Sequence, residues 1–288
     1  MNLERELCLF LHRDYLRKVN TNQYATINPS DSLVRFDLSQ DEDFVDHFYP
    51  LFANSLGPYI PESFFYHDIT CYAKPLLERS YIDGFNFYFG LKRTKHMDPT
   101  WKNFYWIDMI KLCESILGEG QILEKVIYFT ASPLSQQKNS RQSAFLNTNK
   151  LINGNRFEIV RGKYLEKHII CPYCKGDISR PEEKKTDVNI SIRMIEDCVM
   201  NATDIVALVS ADSDLVPPIE LIQRRFPNVG IKVYFPPSNF SNDLKDNLIH
   251  HRSKPILMIK NLRRFQTAVM PDIITKDGKT FTIPEKWK

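Results

Sequence analysis

A chain of 288 residues that is 43% hydrophobic and 25% charged has room for one large or two small globular domains with a sizeable core. Its net charge of +3 is too small to indicate a polyanionic partner, and no apolar run approaches the roughly 20 residues that span a bilayer, so no membrane association is expected. The six cysteines lie mostly singly in apolar segments and the N-terminus lacks a signal-peptide core, which together predict reduced thiols in a cytoplasmic protein.

Residues 1–75 show helical spacing of apolar side chains and no chemical motif. One apolar stripe runs through residues 4–18 and a second through residues 44–56, with Pro-, Ser- and Asn-containing stretches between and after them. We therefore predict a small helical N-terminal extension whose role the sequence does not indicate. It would be the natural surface for a protein partner.

From residue 76 onward, short apolar runs alternate with segments of helical spacing. Strands are predicted near residues 81–82, 126–129, 157–160, 206–209 and 230–235, with helices at about 103–117 and 135–150, after Asp187, after Leu215 and around Leu244. This alternation predicts an α/β domain over residues 76–288, with a mostly parallel sheet and helices on both faces. Glu78, Arg79 and Ser80 fit poorly in a central strand, so the first strand should be short or locally distorted.

Carboxylates stand at three of the predicted strand–helix junctions. Asp83 follows the first strand, Asp187 opens a helix, and Asp212 and Asp214 follow the strand at 206–209. A single acid at such a junction is explained as a helix cap or a turn residue. The carboxyl ends of parallel strands meet at one edge of the sheet, however, so these four side chains are expected to converge. Close carboxylates repel one another unless a cation lies among them, and an oxygen-rich cluster suits Mg²⁺ or Mn²⁺.

Six motifs stand out along the chain. The three longest are YIDGFNFYFG (81–90), EEKKTDVNISIRMI (182–195) and VALVSADSDLVPPI (206–219), and the others are WIDMIKL (106–112), RQSAFL (141–146) and IPEKW (283–287). The three longest resemble, in this order, the motifs of NYN-domain proteins of the LabA-like group, within the PIN-like nuclease superfamily, and the others are further matches. The resemblance covers residues 76–287 and not the extension before them. It implies a three-layer α/β/α sandwich of the PIN-like/NYN type and metal-dependent cleavage of phosphodiester bonds, above all in RNA.

The resemblance also implies a role for each catalytic residue by its place in these motifs. Asp83 would be the metal ligand at the end of the first strand, Asp187 the second carboxylate at a helix start, and Asp212 the third. Asp214 would be a fourth ligand, or an acid that supports the ligands without binding the metal itself. Asn86 would orient the substrate or a water on the metal from the same turn as Asp83.

Other polar residues near these acids have both functional and structural explanations. By the resemblance, Ser210 and Ser213 would hydrogen-bond the carboxylates and hold them in position. Arg141 and Gln142 would contact a substrate phosphate, although a solvated helix face explains them as well. Lys185 either neutralises a substrate phosphate or is ordinary surface charge.

Cys171 and Cys174 form a CxxC pair within the segment 165–182, which is expected to be a loop. Two thiols at this spacing are half of a structural Zn²⁺ site; His168 offers a third ligand, and the neighbourhood lacks a fourth. A plain turn between strands explains the pair without a metal, and we favour that explanation over zinc.

The C-terminal segment 249–288 has an excess of Lys and Arg and contains Phe265 and Trp287. Phosphate contact combined with base stacking would use both kinds of side chain. A solvated tail over the edge of the sheet is the alternative, and the sequence leaves the choice open.

Three functions follow from these patterns. The first is a Mg²⁺- or Mn²⁺-dependent ribonuclease that acts as an endonuclease on RNA, and whose hydrolysis would leave 5′-phosphate and 3′-hydroxyl ends. The sequence does not distinguish RNA from single-stranded DNA as its substrate. The second is a catalytically weak or inactive NYN-fold scaffold that binds RNA or a partner for regulation. The third is a different metal phosphohydrolase; the haloacid-dehalogenase type is disfavoured because it needs DxD where this chain has Asp83-Gly-Phe.

Overall fold

The computed structural model describes residues 34–37, 70–73, 75–170, 173–174, 176–248 and 255–288. The chain divides into two compact units, Met1–Pro75 and Leu76–Lys288. In the first unit, strand β1 (Val34–Asp37) pairs antiparallel with β2 (Thr70–Ala73). The helical stripes expected at 4–18 and 44–56 lie outside the described residues.

The second unit is built on a parallel sheet of six described strands. In sheet order they are β10 (Ile256–Leu257), β9 (Gly230–Phe235), β8 (Ile205–Val209), β3 (Leu76–Asp83), β4 (Gln121–Thr130) and β5 (Phe157–Arg161). Every neighbouring pair is parallel, and Ile82 of β3 lies opposite Val209 of β8 and Tyr128 of β4. The predicted parallel sheet is therefore confirmed, with β3 and β8 adjacent at its centre.

Helices cover both faces of this sheet. They are α1 (Gly84–Met97), α2 (Met109–Glu114), α3 (Gln136–Asn153), α4 (Thr186–Val199), α5 (Val216–Arg225), α6 (Asn242–Asn247) and α7 (Leu262–Ala268), with 3₁₀ turns at Pro99–Tyr105, Gly154–Arg156, Ser213–Leu215, Met258–Asn261 and Glu285–Trp287. Successive residues of β3 point to opposite faces: Tyr81 packs in one core with Ile190 of α4, and Ile82 packs in the other with Phe87 of α1. The three-layer α/β/α sandwich is thus confirmed. None of the helices in the described ranges is long and apolar enough to cross a membrane.

The single helix expected over about 103–117 is wrong in extent. The structure instead has the 3₁₀ turn Pro99–Tyr105, a break at residues 106–108, and then the short helix α2. Asp108 causes the restart, because its carboxylate accepts a hydrogen bond from the backbone N–H of Ile110 at 3.0 Å and so caps α2. Within the break, Ile107 forms an antiparallel β-bridge with Val269, which removes it from any helix.

The charged residues of β3 are accommodated in the middle of the sheet by ion pairs. The ladder with β4 shifts register between Glu78 and Arg79, which confirms the expected local distortion, although the strand keeps all eight residues. Glu78 is fully buried and accepts a 2.6 Å hydrogen bond from the ammonium of Lys232 on β9. Arg79 donates to Glu124 of β4 at 2.6 and 2.8 Å and to Asp197 of α4 at 2.7 Å. The central strand is therefore tied by charge to elements on both sides.

Most of the segment 165–182 forms an antiparallel hairpin. Strand β6 (Lys163–Ile170) pairs with β7 (Asp177–Lys184), with Ile170 opposite Asp177. Cys174 is exposed in the turn between them, whereas Cys171 lies outside the described residues. The plain turn that we favour for this pair and the alternative of a zinc site therefore both stay predictions. A second hairpin, β11 (Ile273–Lys276) and β12 (Lys279–Thr282), lies near the C-terminus.

The C-terminal aromatic residues belong to the core. Phe265 is fully buried and stacks on Phe87 with ring centroids 6.3 Å apart, and Trp287 is buried against Tyr105 at 5.8 Å. Base stacking by these two side chains is therefore a wrong interpretation. Their rings fill the layer of helices over one face of the sheet, where their apolar area is removed from water.

Replacing Lys232 by Met should destabilise the protein, because the buried carboxylate of Glu78 would lose its cation. Removing one partner of a buried ion pair costs about 3–5 kcal/mol. Burial raises the pKa of Glu78 and Lys232 opposes that rise, so the variant's Glu78 should have a still higher pKa. The loss in free energy of unfolding should thus be largest near pH 8 and should shrink as the pH falls and the carboxyl group becomes neutral.

Urea unfolding at several pH values measures this loss. The matched control is Lys125→Met, which breaks a 3.3 Å, partly exposed pair with Glu158 and should cost less than about 1 kcal/mol. Equal losses in the two variants, or a Lys232→Met loss that does not change with pH, would contradict the role assigned to the buried pair.

Candidate metal centre

Three aspartates meet at the carboxyl edge of the parallel sheet. One carboxylate oxygen from each of Asp83, Asp187 and Asp212 lies within 4.8 Å of the other two. Asp83 is the last residue of β3, and Asp212 follows the adjacent strand β8 after a short turn. Asp187 comes from the first turn of α4, which packs on the same part of the sheet. Residues far apart in sequence thus form one acidic group.

Asp83 is held by four hydrogen bonds. One carboxylate oxygen accepts from the backbone N–H groups of Phe85 at 3.1 Å and Asn86 at 3.0 Å, which caps α1. The other oxygen accepts from the Asn86 side-chain amide at 2.7 Å and from the Ser210 hydroxyl at 2.8 Å. The carboxylate is buried and its orientation is fixed before any ligand binds.

Two further contacts fix the start of α1. A Cβ atom on Gly84 would lie 2.5 Å from Tyr128 Cε1 and 2.6 Å from the Phe129 carbonyl oxygen, so the helix approaches β4 more closely than another residue allows. The side-chain amide of Asn239, just after β9, donates to the Asn86 carbonyl oxygen at 2.8 Å and to its Oδ1 at 3.0 Å. Asn239 was not predicted from the sequence. Its position shortly after the carboxyl end of the strand predicted at 230–235, on the same edge of the sheet as the acids, would have indicated it.

Ser210 connects the two strand-end acids. Its hydroxyl donates to Asp83 and accepts a 3.1 Å hydrogen bond from the backbone N–H of Asp212. Asp212 in turn accepts from the backbone N–H of Asp214 at 3.0 Å and caps the 3₁₀ turn that follows. Asp214 is exposed and does not belong to the group of three, and Ser213 is also exposed. The roles predicted for Asp214 as a ligand and for Ser213 as a support stay predictions.

The electrostatics of the site favour a bound cation. Burial raises the pKa of Asp187 to about 6, and the charges of Asp212, Asp83 and Asp214 add to that rise. Burial is also the main cause of a raised pKa at Asp83, with a smaller contribution from Asp212. These carboxylates oppose one another's ionisation in the absence of a positive charge, and three oxygen donors at this spacing fit a hard divalent cation.

The predicted substrate contacts lie around this edge in different environments. The Gln142 amide donates to Thr130 Oγ1 at 2.8 Å and to the Ala131 carbonyl oxygen at 3.1 Å, which anchors α3 to the end of β4. Its Oε1 is buried and has no hydrogen-bond partner among the described residues. Lys185 is exposed in the left-handed conformation just before α4, and Arg141 is half-buried on α3. Phosphate contact by these side chains stays a prediction.

Comparison with known proteins places these acids within a recognised domain. The sequence profile of the NYN domain matches residues 81–251. The 6-hydroxy-3-succinoylpyridine 3-monooxygenase HspA of Pseudomonas putida (strain DSM 28022 / S16) is 27% identical in an alignment 252 residues long, which covers 75% of this chain and 76% of that protein. The crystal structure of a protein of unknown function, VPA0982 from Vibrio parahaemolyticus RIMD 2210633, superposes with a TM-score of 0.42 at 19% identity, over 64% of this chain and 93% of that one.

Replacing Asp187 by Asn should stabilise the metal-free protein. Because the folded-state pKa is raised to about 6, holding this carboxylate ionised has a cost that is fully present above that pH and disappears as the pH falls toward the ordinary value of 3.8. In EDTA at pH 8, Asp187→Asn should raise the melting temperature by about 2–4 °C, and the gain should shrink at pH 4.5. Thermal unfolding measures this shift, with the exposed Asp246→Asn as the unchanged control. A lower melting temperature at pH 8 would contradict the assignment.

Proposed function

The chain belongs to the NYN domain family, which implies a nuclease-like function, and from this premise we propose that it is a metal-dependent ribonuclease. The proposed reaction is endonucleolytic hydrolysis of RNA phosphodiester bonds, with single-stranded DNA as a further substrate to be tested. The observation that carries the proposal is the convergence of Asp83, Asp187 and Asp212 within 4.8 Å of one another.

These three residues would hold Mg²⁺ or Mn²⁺, since carboxylate oxygens are the ligands that both ions favour. A cation there would lower the pKa of a coordinated water and offset the negative charge that develops on the phosphate. The raised pKa of Asp187, about 6, means that cation binding below this pH must displace a proton from its carboxyl group. Binding should therefore weaken in acid.

The chain's own contribution to the proposed reaction is orientation. Asp83 cannot rotate without losing hydrogen bonds to Asn86 and Ser210, and Ser210 also holds the backbone of Asp212. A fixed ligand set loses little conformational entropy when it binds its ligand, which favours tight and correctly placed binding. Lys185, exposed beside Asp187, is the proposed contact for a substrate phosphate. The ribose 3′-oxygen would leave, giving 5′-phosphate and 3′-hydroxyl ends.

Two other functions are set against this proposal. A catalytically weak or inactive RNA-binding scaffold would keep the fold, but the oriented hydrogen bonds of Asp83 are more than a cap needs and support turnover. Monooxygenation of an aromatic ring is favoured by the 27% identity to the pyridine monooxygenase over 75% of the chain. The sequence holds no GxGxxG dinucleotide fingerprint, so the nuclease is the stronger candidate.

Asp212→Asn should lower kcat for RNA cleavage by roughly a thousandfold, because it removes one of three charged cation ligands. Labelled RNA containing both structured and single-stranded regions is incubated with Mg²⁺ or Mn²⁺, and the products are resolved on a denaturing gel. Asp246→Asn is the matched exposed control and should cleave like the wild type. Excess EDTA should stop cleavage, and Asp214→Asn should cost less than Asp212→Asn because it lies outside the group of three.

Lack of cleavage by the wild-type protein with either ion would contradict the nuclease proposal. In that case RNA binding that persists in EDTA would favour the scaffold, because a binder without catalysis does not need the cation.

The monooxygenase candidate is tested directly with the compound that its relative's name gives. The protein is incubated with 6-hydroxy-3-succinoylpyridine, oxygen, NADH and a flavin, and the loss of the pyridine and of NADH is followed. We expect no consumption above that of a no-protein control. Turnover that is coupled to the pyridine would replace the nuclease proposal.

A further inference from the structure

Helix α1 exposes an aromatic stripe, formed by Phe85, Tyr88 and Phe89, that begins two residues after Asp83. Tyr88 is 36% exposed and Phe89 is 43% exposed, while Phe85 is half-buried. The opposite side of the same helix already supplies the core contacts, through side chains such as the buried Phe87. Exposed aromatic rings on this side are therefore not explained by folding alone.

The rings of the stripe are held in place by one another. Phe85 and Phe89 are stacked with centroids 6.3 Å apart and planes 20° from parallel, and Tyr88 meets Phe89 at 5.4 Å. Tyr88 also packs on the buried Tyr105 at 5.5 Å, and Phe85 makes an edge contact of 5.7 Å with Tyr164 of β6. Because the rings are already ordered, they lose little conformational entropy when a flat partner stacks on them, and the main ordering cost is that of the partner itself.

Cationic side chains flank the stripe. The ammonium of Lys92 lies 5.7 Å from the centroid of the Phe89 ring. The charge of Arg141 on α3 lowers the pKa of the Tyr88 hydroxyl against the larger rise due to burial. Rings for bases and cations for phosphates are the two components of single-strand recognition.

We propose that the aromatic stripe is a base-stacking platform for single-stranded nucleic acid, which holds nucleotides next to the one whose phosphate enters the metal centre. This inference rests on the proposed nuclease function and narrows its substrate to single strands, because bases paired in a duplex offer no face to a protein ring. A helix rises 1.5 Å per residue, so Phe89 lies about 9 Å along α1 from Asp83. A strand bound at the acids thus reaches the rings without crossing the rest of the domain.

The test measures binding rather than cleavage. Fluorescence anisotropy in EDTA follows a labelled oligouridine strand and, separately, the same strand annealed to its complement. Phe89→Ala should raise the Kd for the single strand about tenfold, which corresponds to the loss of one stacked base. Phe89→Leu should lose as much, because it keeps an apolar side chain but no ring. The matched control is Ile192→Ala on α4, an exposed apolar side chain away from the stripe, which should bind like the wild type.

A gain of signal tests the same contact without weakening it. Phe89→Trp should keep the affinity for the single strand, and stacking of a base should quench the emission of the new tryptophan. Native Trp101, Trp106 and Trp287 are buried, so the same titration of the wild type should show little quenching.

The base-stacking proposal would be contradicted if Phe89→Ala or Phe89→Leu bound the single strand with wild-type affinity. It would also be contradicted if these variants lost as much affinity for the duplex as for the single strand, or if the wild-type protein did not bind the single strand. Failure of the nuclease proposal is recognised separately, as absence of cleavage with Mg²⁺ and Mn²⁺. Single-strand binding that depends on the Phe89 ring would support the platform even in that case, because the binding assay contains no divalent ion.

Discussion

Repulsion among three carboxylates is the interaction on which the carboxyl edge of this sheet depends. Asp83, Asp187 and Asp212 hold oxygens within 4.8 Å of one another, and burial and mutual charge raise the pKa of the first two. The hydrogen bonds from Asn86 and Ser210 hold the Asp83 carboxylate close to the other two, although their charges repel it. The folded chain thus carries an electrostatic cost at this edge, which the proposed divalent cation would relieve.

Contacts between the central strand β3 and helix α4 help to determine how these acids meet. Arg79 of β3 pairs with Asp197 of α4 at 2.7 Å, and the Tyr81 hydroxyl donates to the same carboxylate at 2.7 Å. Asp197 therefore ties β3 to the helix whose first turn carries Asp187. Arg79, which fits poorly in a buried strand, therefore stabilises the packing of the strand and the helix that carry Asp83 and Asp187.

The structure also shows why a helix cap and a metal ligand are compatible roles for one residue. Asp83 caps α1 and Asp212 caps the 3₁₀ turn, and both remain in the acidic group. A carboxylate has about four lone-pair sites. Asp212 accepts one hydrogen bond from a described residue, the backbone N–H of Asp214, so its acceptor capacity is largely left over. Asp83 accepts four, so a cation at Asp83 would share an oxygen with one of these hydrogen bonds or replace it. Helix α1 also has two roles, since the helix that Asp83 caps exposes Phe89 of the aromatic stripe to solvent.

The sequence alone determined the parallel sheet and the positions of Asp83, Asp187 and Asp212 at strand–helix junctions, because hydrophobic period and turn residues are local signals. It also indicated that β3 would be distorted. Only the tertiary structure separated Asp214 from the group of three and buried the C-terminal aromatic rings. Spacing along a chain does not fix which side chains share a pocket or a core. Those outcomes depend on the register of β3 against β8 and on the packing of helices, which are set by contacts between residues more than a hundred positions apart.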